Sequence, residues 1–378
     1  MARKGENIYK RKDGRWEGRY KCGYTVAGKT KYKSVYAASY NECRQKLNEA
    51  KNNYDVGKEI VKIHMTAKEI FYKWLGVISI NTKESSFNTY SAVVNNHILP
   101  VIGDIPIYKV TADILNDLVR DKLRSGRLDG KGGLAAVTVK NIVCVIKTVF
   151  RYSERVYGMR NPAEFIAAPK VVKKELEVLS DDEMAKIREH CTQNPDYFSL
   201  IYDICLSTGI RIGEVCALKC SDIDFEENIL TVNKTVQRVK NTDSAVGRKT
   251  KVVISSPKTN KSDRKIPLSQ KLIEKIKEFI DVSQKSGGDF IFSVKENRPI
   301  DVRTVQNKFT VILKNCGIRK MKFHILRHTF ATKWVNSNFD VKSLSEILGH
   351  STVNITLSLY VHPSIEDKRK IMDKMCVA

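Results

Sequence analysis

The sequence predicts three unlike parts. Residues 1–62 read as a small α+β unit of three strands and one helix, 63–172 as an all-α unit, and 173–378 as a mixed, mainly α unit with a small antiparallel sheet. Three observations carry this reading. Short alternating runs separated by turn residues crowd the first part. Apolar residues at helical spacing fill the second. Capped helices interrupted by β-branched runs make up the third. A chain of 378 residues is long enough for two or three domains with separate cores.

In the first part, IYKR and RWEGRY flank Asp13-Gly14, a hairpin turn, and KTKYKSVYA supplies a third strand. Ser39 followed by Glu42 reads as a capping box opening a helix through Leu47 and Ala50. In the second part, Thr66 with Glu69 opens FYKWLGVISI. SSFNTYSAVVNNHIL is an amphipathic helix expected to stop at Pro100, Thr111 opens ADILNDLVRDKL, and Thr138 opens VKNIVCVIKTVFRYSERV. NPAEFIAAPK breaks helix twice with proline and leads into a basic linker. In the third part, Ser180 with Glu183 caps a helix, SLIYDICLSTG is a buried one, and ILTVNKTVQRV reads as one strand. KVVISSPKTNKSDRKIPL reads as two strands around a turn. Four further helices follow, the last being VKSLSEILGH.

The charge balance narrows the function. Lys plus Arg number 66 against 42 Asp plus Glu, a formal +24. Such an excess disfavours an acidic solvating protein or an ordinary small-metabolite enzyme and favours a polyanion, because Lys and Arg gain affinity by displacing phosphate counterions. The excess is +9 over 1–62, +6 over 63–172 and +9 over 173–378. In the first part Arg15, Arg19, Lys21, Lys31 and Lys33 interleave with Trp16, Tyr20, Tyr24 and Tyr32, a pattern suited to a DNA groove or to the core of a very small domain with a basic face. No apolar run reaches the ~18 residues of a membrane span, and the start of the chain does not read as a secretory leader. Nine scattered Cys without a CxxC pair read as buried, reduced thiols, with no metal expected.

The third part concentrates the chemistry-bearing side chains. Gly209 turns the chain out of a buried helix, and Arg211 follows at the start of RIGEVCAL, where free helix N–H groups favour an anion. Glu214, three residues on, either orients this guanidinium toward function or forms a purely structural pair with it. His324 and Arg327, also three apart, share a helical face. His328 is expected to point elsewhere, as a packing or surface residue. His350 lies where a helix ends, and Tyr360 follows in ITLSLYVH.

Taken together, TGIRIGE, PKT, HILRH, LGHS and TLSLYVH resemble, in order and spacing, the tyrosine recombinases, the phage-lambda type of integrase. The resemblance spans about 175–365. The helical middle, with HILPVIGDIPIYKVT, resembles the family's core-site DNA-binding domain, and the basic N-terminal sheet an arm-site binding domain. The three-part layout is most like the integrases of conjugative transposons. By this resemblance Tyr360 falls on the nucleophile, Arg211 and Arg327 on the two arginines, Lys258 on the lysine, and His324 and His350 on the remaining two positions.

The resemblance implies integration and excision of a mobile element. DNA is cut and rejoined through a 3′-phosphotyrosyl intermediate and a Holliday junction, without cofactor, metal or ATP. Lys258 would protonate the leaving 5′ oxygen, His324 would assist proton transfer at Tyr360, and His350 would hydrogen-bond a phosphate oxygen. The implied partners are double-stranded DNA at core and arm sites, three further copies in a homotetramer, an excisionase and a host DNA-bending protein, in a bacterial cytoplasm. Ile365, Ile371 and Met375 mark an amphipathic tail that docks on a neighbour or on its own domain. The rival readings are a chromosome-dimer resolvase, a topoisomerase using the same chemistry, and a non-catalytic DNA-binding regulator.

Overall fold

The computed structural model describes residues 7–24, 30–56, 65–172, 176–241, 250–255, 263–294, 297–361 and 365–375. The chain forms two compact units, Met1–Val172 and Lys173–Ala378.

The first unit holds two separate cores. Strands β1 (Ile8–Lys10), β2 (Trp16–Tyr24) and β3 (Thr30–Ala37) form an antiparallel sheet in sequence order. Helix α1 (Tyr40–Val56) covers one face, and Ser39 receives the Glu42 N–H at its start. Ile8, Ala37, Cys43 and Leu47 are buried between them, with Trp16, Tyr20, Val35 and Tyr40 at the edge. At about 1.5–3 kcal/mol per buried large side chain, so small a core leaves little margin.

The second core lies among helices. These are α2 (Ala67–Asn81), α3 (Glu84–Val93), α4 (Leu99–Ile102), α5 (Ala112–Ser125) and α6 (Ala136–Tyr157). Thr66 and Glu69 form the reciprocal capping box at α2, and Thr111 caps α5. Pro100 does not stop the helix as expected. A π-helical turn over Val94–Ile98, whose looser pitch resets the hydrogen-bond register, carries the chain from α3 into α4. Pro100 then falls in the first turn of α4, where a missing N–H costs nothing. Phe71, Ile98, Ile102, Leu115, Leu118, Ile146 and Phe150 are fully buried here. Helix α6 begins at Ala136, before the expected Thr138, and ends on Gly158 in the left-handed region.

The second unit packs α7 (Asp181–Gln193), α8 (Tyr197–Thr208) and the single turn α9 (Ile212–Val215) beside two small sheets. Ser180 and Glu183 form the capping box of α7. The expected single strand at 229–239 is two strands, β5 (Ile229–Val232) and β6 (Thr235–Lys240), because the chain bends at Asn233-Lys234. The strands on either side of PKT, β7 (Thr250–Ser255) and β8 (Arg264–Pro267), do not pair with each other. β7 pairs with β6 as a hairpin, whereas β8 joins β4 (Ile223–Asp224) and β5 in the order β4-β5-β8.

Helix α10 (Gln270–Val282), the short hairpin β9 (Ser293–Val294) and β10 (Arg298–Pro299), and α11 (Val302–Asn315) follow. Then come α12 (Ile325–Asn336), α13 (Val341–Leu348), α14 (Val353–Tyr360) and α15 (Ile365–Met375). Phe198, Phe309 and Phe323 interlock in the core, the first two stacked at 6.1 Å and the last two edge-on at 5.3 Å. The described cysteines are free. Cys43, Cys191, Cys205, Cys216 and Cys220 are buried, but Cys144 is exposed, because its place on α6 turns away from the helical core. Among the described residues no helix is long and apolar enough to cross a membrane, and no cluster could hold a metal ion.

Candidate active site

Four elements of the second unit converge: the end of α8, α9, α12 and the α13–α14 junction. Two glycines in the left-handed region make the convergence possible. Gly209 (φ +63) ends α8 and Gly349 (φ +65) ends α13, turns that an L side chain resists. There is no room for one either: a Cβ on Gly209 would lie 2.5 Å from the Phe330 ring.

Arg327, on α12 and 3% exposed, ties both turns together. Its Nη1 donates to the Gly209 carbonyl and its Nη2 to the Leu348 carbonyl, each at 2.9 Å. Nη2 also lies 2.8 Å from His350 Nε2. A guanidinium only donates, so His350 Nε2 carries the lone pair and its Nδ1–H donates to Thr356 Oγ1 at 2.8 Å. Burial, then Arg327 and Arg211, hold the His350 imidazole down to about 4, so it is neutral at pH 7. Burial and the Arg211 charge press the Arg327 pKa down to about 9, which leaves it cationic at neutral pH.

Arg211 opens α9. Its Nη1 and its backbone N–H both reach Glu214, each at 2.8 Å, and its Nη2 donates to the Gly349 carbonyl at 3.3 Å. The Arg211 side chain stays 37% exposed while Glu214 is buried. Glu214 also holds Arg264, a second buried arginine, through contacts of 2.8 and 3.2 Å. Burial works to raise the Glu214 pKa, but Arg264 and Arg211 outweigh it, and the carboxyl stays below its ordinary value. Arg264 is delivered by the Val232↔Arg264 register of β5 and β8, and its Nε donates to the Ile347 carbonyl. Glu214 therefore links α9, β8 and, through its two arginines, the end of α13.

Tyr360 closes the site from α14. It is 7% exposed and packs with Ala331, Leu344 and Leu348. Its hydroxyl lies 2.9 Å from Nδ1 of His328, the residue expected to point elsewhere. The expectation fails because α12 packs against α14 with His328 on the side that meets Tyr360. The His324 ring meets His328 edge-on at 4.6 Å, on a solvent-open flank. The residue is exposed, but its ring loses part of its water against the neighbouring side chains, and this, then His328, Arg327 and Arg211, pushes the His324 imidazole down to about 4. Burial raises the Tyr360 phenol above its ordinary value, while Arg327 and Arg211 oppose the rise.

The structure thus brings Arg211, His324, Arg327, His350 and Tyr360 into one electrostatic neighbourhood. Lys258 lies outside the described residues. Sequence reasoning missed His328 and Arg264. The four-residue step from His324 to His328 was a signal for the first, since it shares a helical face. For Arg264, a buried partner on β8 fifty residues from Glu214, no sequence signal exists.

Residues 177–367 match the family model described as Phage integrase family, half of the chain. The chain belongs to the phage integrase family. Residues 66–123 also match the family's N-terminal SAM-like domain. The recombinase is 27% identical over 368 residues to a tyrosine recombinase XerC-like protein of Caldanaerobacter subterraneus subsp. tengcongensis, covering 92% of each chain. It is 21% identical to the ICEBs1 integrase of Bacillus subtilis, covering 80% of each. Its fold is similar to that of the Tn1549 transposon integrase, solved with a circular intermediate DNA: TM-score 0.69 at 22% identity, covering 82% of this chain and 99% of that one. The expected likeness to integrases of conjugative transposons is borne out. As a member of this family the chain is a tyrosine recombinase, an enzyme that breaks and rejoins DNA strands.

On the N-terminal sheet the expected basic residues divide. Pairing of Glu17 with Tyr36 and of Arg19 with Ser34 sets Arg15, Arg19 and Lys21 on the open face, the one α1 does not cover. Arg15 stands over Tyr36 at 5.8 Å and Arg19 over Tyr9 at 5.1 Å. Lys31 and Lys33 have the alternation of Val35 and Ala37, which face α1. The five residues therefore do not form one surface.

Proposed function

We propose that this recombinase integrates and excises a mobile element of the conjugative-transposon type, with Tyr360 as its nucleophile. The observation that supports this most directly is a buried phenol hydrogen-bonded to an imidazole, beside two guanidiniums that backbone carbonyls hold in place. A phosphodiester is an anion and repels an anionic nucleophile. Arg211 and Arg327 neutralise its non-bridging oxygens and stabilise the charge of the five-coordinate transition state. Arg211, with part of its guanidinium open to solvent, meets the incoming phosphate. His350, its Nδ1–H engaged by Thr356, adds a contact to the same oxygens once protonation or reorientation frees a donor.

Tyr360 Oη attacks phosphorus, the P–O5′ bond breaks, and the 5′ oxygen takes a proton, with Lys258 as its donor. The 3′-phosphotyrosine conserves the bond energy of the cut strand, so a 5′ hydroxyl from the second duplex reverses the step without ATP. Two duplexes with two cut strands each need four active sites, hence a tetramer working through a Holliday junction. An excisionase and a host DNA-bending protein would set direction and bring arm and core sites together.

The domain plan that fits this work is 1–62 for arm DNA, 63–172 for core DNA and 173–378 for catalysis. Two separate cores within Met1–Val172 support the first division. The open sheet face with Arg15, Arg19 and Lys21 would track arm DNA. Lys31 and Lys33 would contribute long-range attraction. A nicked suicide duplex carrying the crossover sequence tests the central reading. The protein should become covalently joined to the 3′ phosphate, and Tyr360→Phe should abolish the adduct while leaving DNA binding intact. An adduct that survives Tyr360→Phe removes Tyr360 from the mechanism.

A further inference from the structure

Among the imidazoles of the site it is His328 that meets the Tyr360 oxygen, which the Arg327 guanidinium also hydrogen-bonds. Nδ1 lies 2.9 Å from Oη, and the two rings sit 5.7 Å apart, tilted by 51°. His350 does not compete, because Arg327 engages one of its nitrogens and Thr356 the other. His324, at the start of α12, touches His328 by its ring and is open to solvent. Among the described residues, the charged and titratable groups around His328 are Arg327 on α12, His324 at its N-cap and Tyr360 on α14. Burial and the Arg327 charge lower the His328 pKa, favouring the neutral ring. With its hydrogen on Nε2, a neutral His328 leaves the Nδ1 lone pair facing the phenolic hydrogen.

We propose that His328, not the histidine of the His-x-x-Arg step, receives the phenolic proton of Tyr360 as it attacks DNA. The inference rests on Tyr360 being the nucleophile. As Oη–P forms and P–O5′ breaks, the Oη–H bond is cleaved and its proton moves to His328 Nδ1. The imidazolium sits beside solvent-open His324, which relays the charge outward or keeps it within the pair. In the rejoining step the proton returns to Oη as the phosphotyrosine bond breaks, so the cycle neither gains nor loses a proton at this site. His324 is then a positioning and relay residue.

The test is single-turnover cleavage of the suicide duplex by the full chain. His328→Asn keeps a polar atom near the Nδ1 position but is no base. Cleavage should slow by about 100-fold or more, the usual contribution of proton transfer, with DNA affinity unchanged. Replacing Tyr360 by a ring-fluorinated tyrosine, already ionised near neutral pH, should then restore the rate of His328→Asn to within a few-fold of the fluorinated protein that keeps His328. Parental cleavage by His328→Asn overturns the proposal, and so does a slow variant that fluorination fails to rescue. Rescue of His324→Asn but not of His328→Asn overturns it in favour of His324. If Tyr360→Phe still forms the adduct, it is the underlying reading that fails. Should the His328 variants lose DNA binding, nitrogen NMR of the unaltered chain decides. His328 must carry hydrogen on Nε2 with an Nδ1 resonance that moves in Tyr360→Phe, and hydrogen on Nδ1 overturns the proposal.

Discussion

At the scale of single residues, the site is built by donors that have nowhere else to go. Arg327 spends its buried hydrogen bonds on the carbonyls of Gly209 and Leu348, so its geometry is set before DNA arrives. Glu214 does the same for Arg211 while neutralising Arg264. Removing that negative charge leaves the buried Arg264 guanidinium without its counter-ion Glu214. Glu214→Gln should therefore destabilise the second unit by about 3 kcal/mol, read in urea melts, and slow cleavage together with it. The histidines give a pH dependence. His350 has a folded pKa near 4 against an ordinary 6.5, so the unfolded chain binds more protons between those values. Its contribution to stability is complete above about pH 6.5 and is lost as pH falls toward 4, on the order of 2–3 kcal/mol. Urea melts from pH 7 to 4 should show this slope, and His350→Gln should reduce it while leaving the share of His324, whose imidazole is likewise held down to about 4. The sequence made Arg211, Arg327, His350 and Tyr360 legible because each lies inside a short, ordered motif. The four-residue step from His324 put His328 on a shared helical face, but its bond to Tyr360, 32 residues on, depends on how α12 meets α14.

At the scale of elements, turns matter more than helices. Arg211 and His350 each stand next to a chain reversal that only a left-handed residue makes cheaply. Gly209→Ala should cost at least 2 kcal/mol, combining backbone strain with a clash against Phe330 and Leu348. Thermal unfolding measures it, and the same variant should lower cleavage by moving the Gly209 carbonyl off Arg327. Helix starts at Thr66, Thr111 and Ser180 were readable, since a cap is a local bargain between a side chain and a neighbouring N–H. The pairing of β7 with β6, and of β8 with β5, was not. Both strands fit an antiparallel neighbour, and which neighbour they take depends on the hairpin and on the core beneath β5. The passage of α3 through Pro100 was hidden too, because a π turn is a response to packing rather than a propensity.

At the scale of the whole molecule, a formal charge of +24 favours a polyanion, and its division among parts is open to test. If the open sheet face binds arm DNA, Arg19→Ala should weaken binding to arm sequences, and its salt dependence should fall by about one counterion. Lys33→Ala should do less. Filter binding over a salt series separates the two. The tail helix exposes Ile365, Met372 and Met375, while the Ile371 side chain lies outside the described residues. Deleting 365–375 should impair assembly on paired sites more than cleavage of a single suicide duplex, as gel analysis of synaptic complexes would show; unchanged assembly would count against docking on a neighbour.

The sequence by itself determined the class of chemistry. Motif order, helix caps and charge are local properties, written in residues a few positions apart. Tertiary structure alone decided which imidazole faces the nucleophile, which strand each arm of the hairpins joins, and which basic residues share the open face of the first sheet. Each of those is a matter of contact between distant segments, and such contacts are settled by the packing of whole cores, which no short stretch of chain encodes.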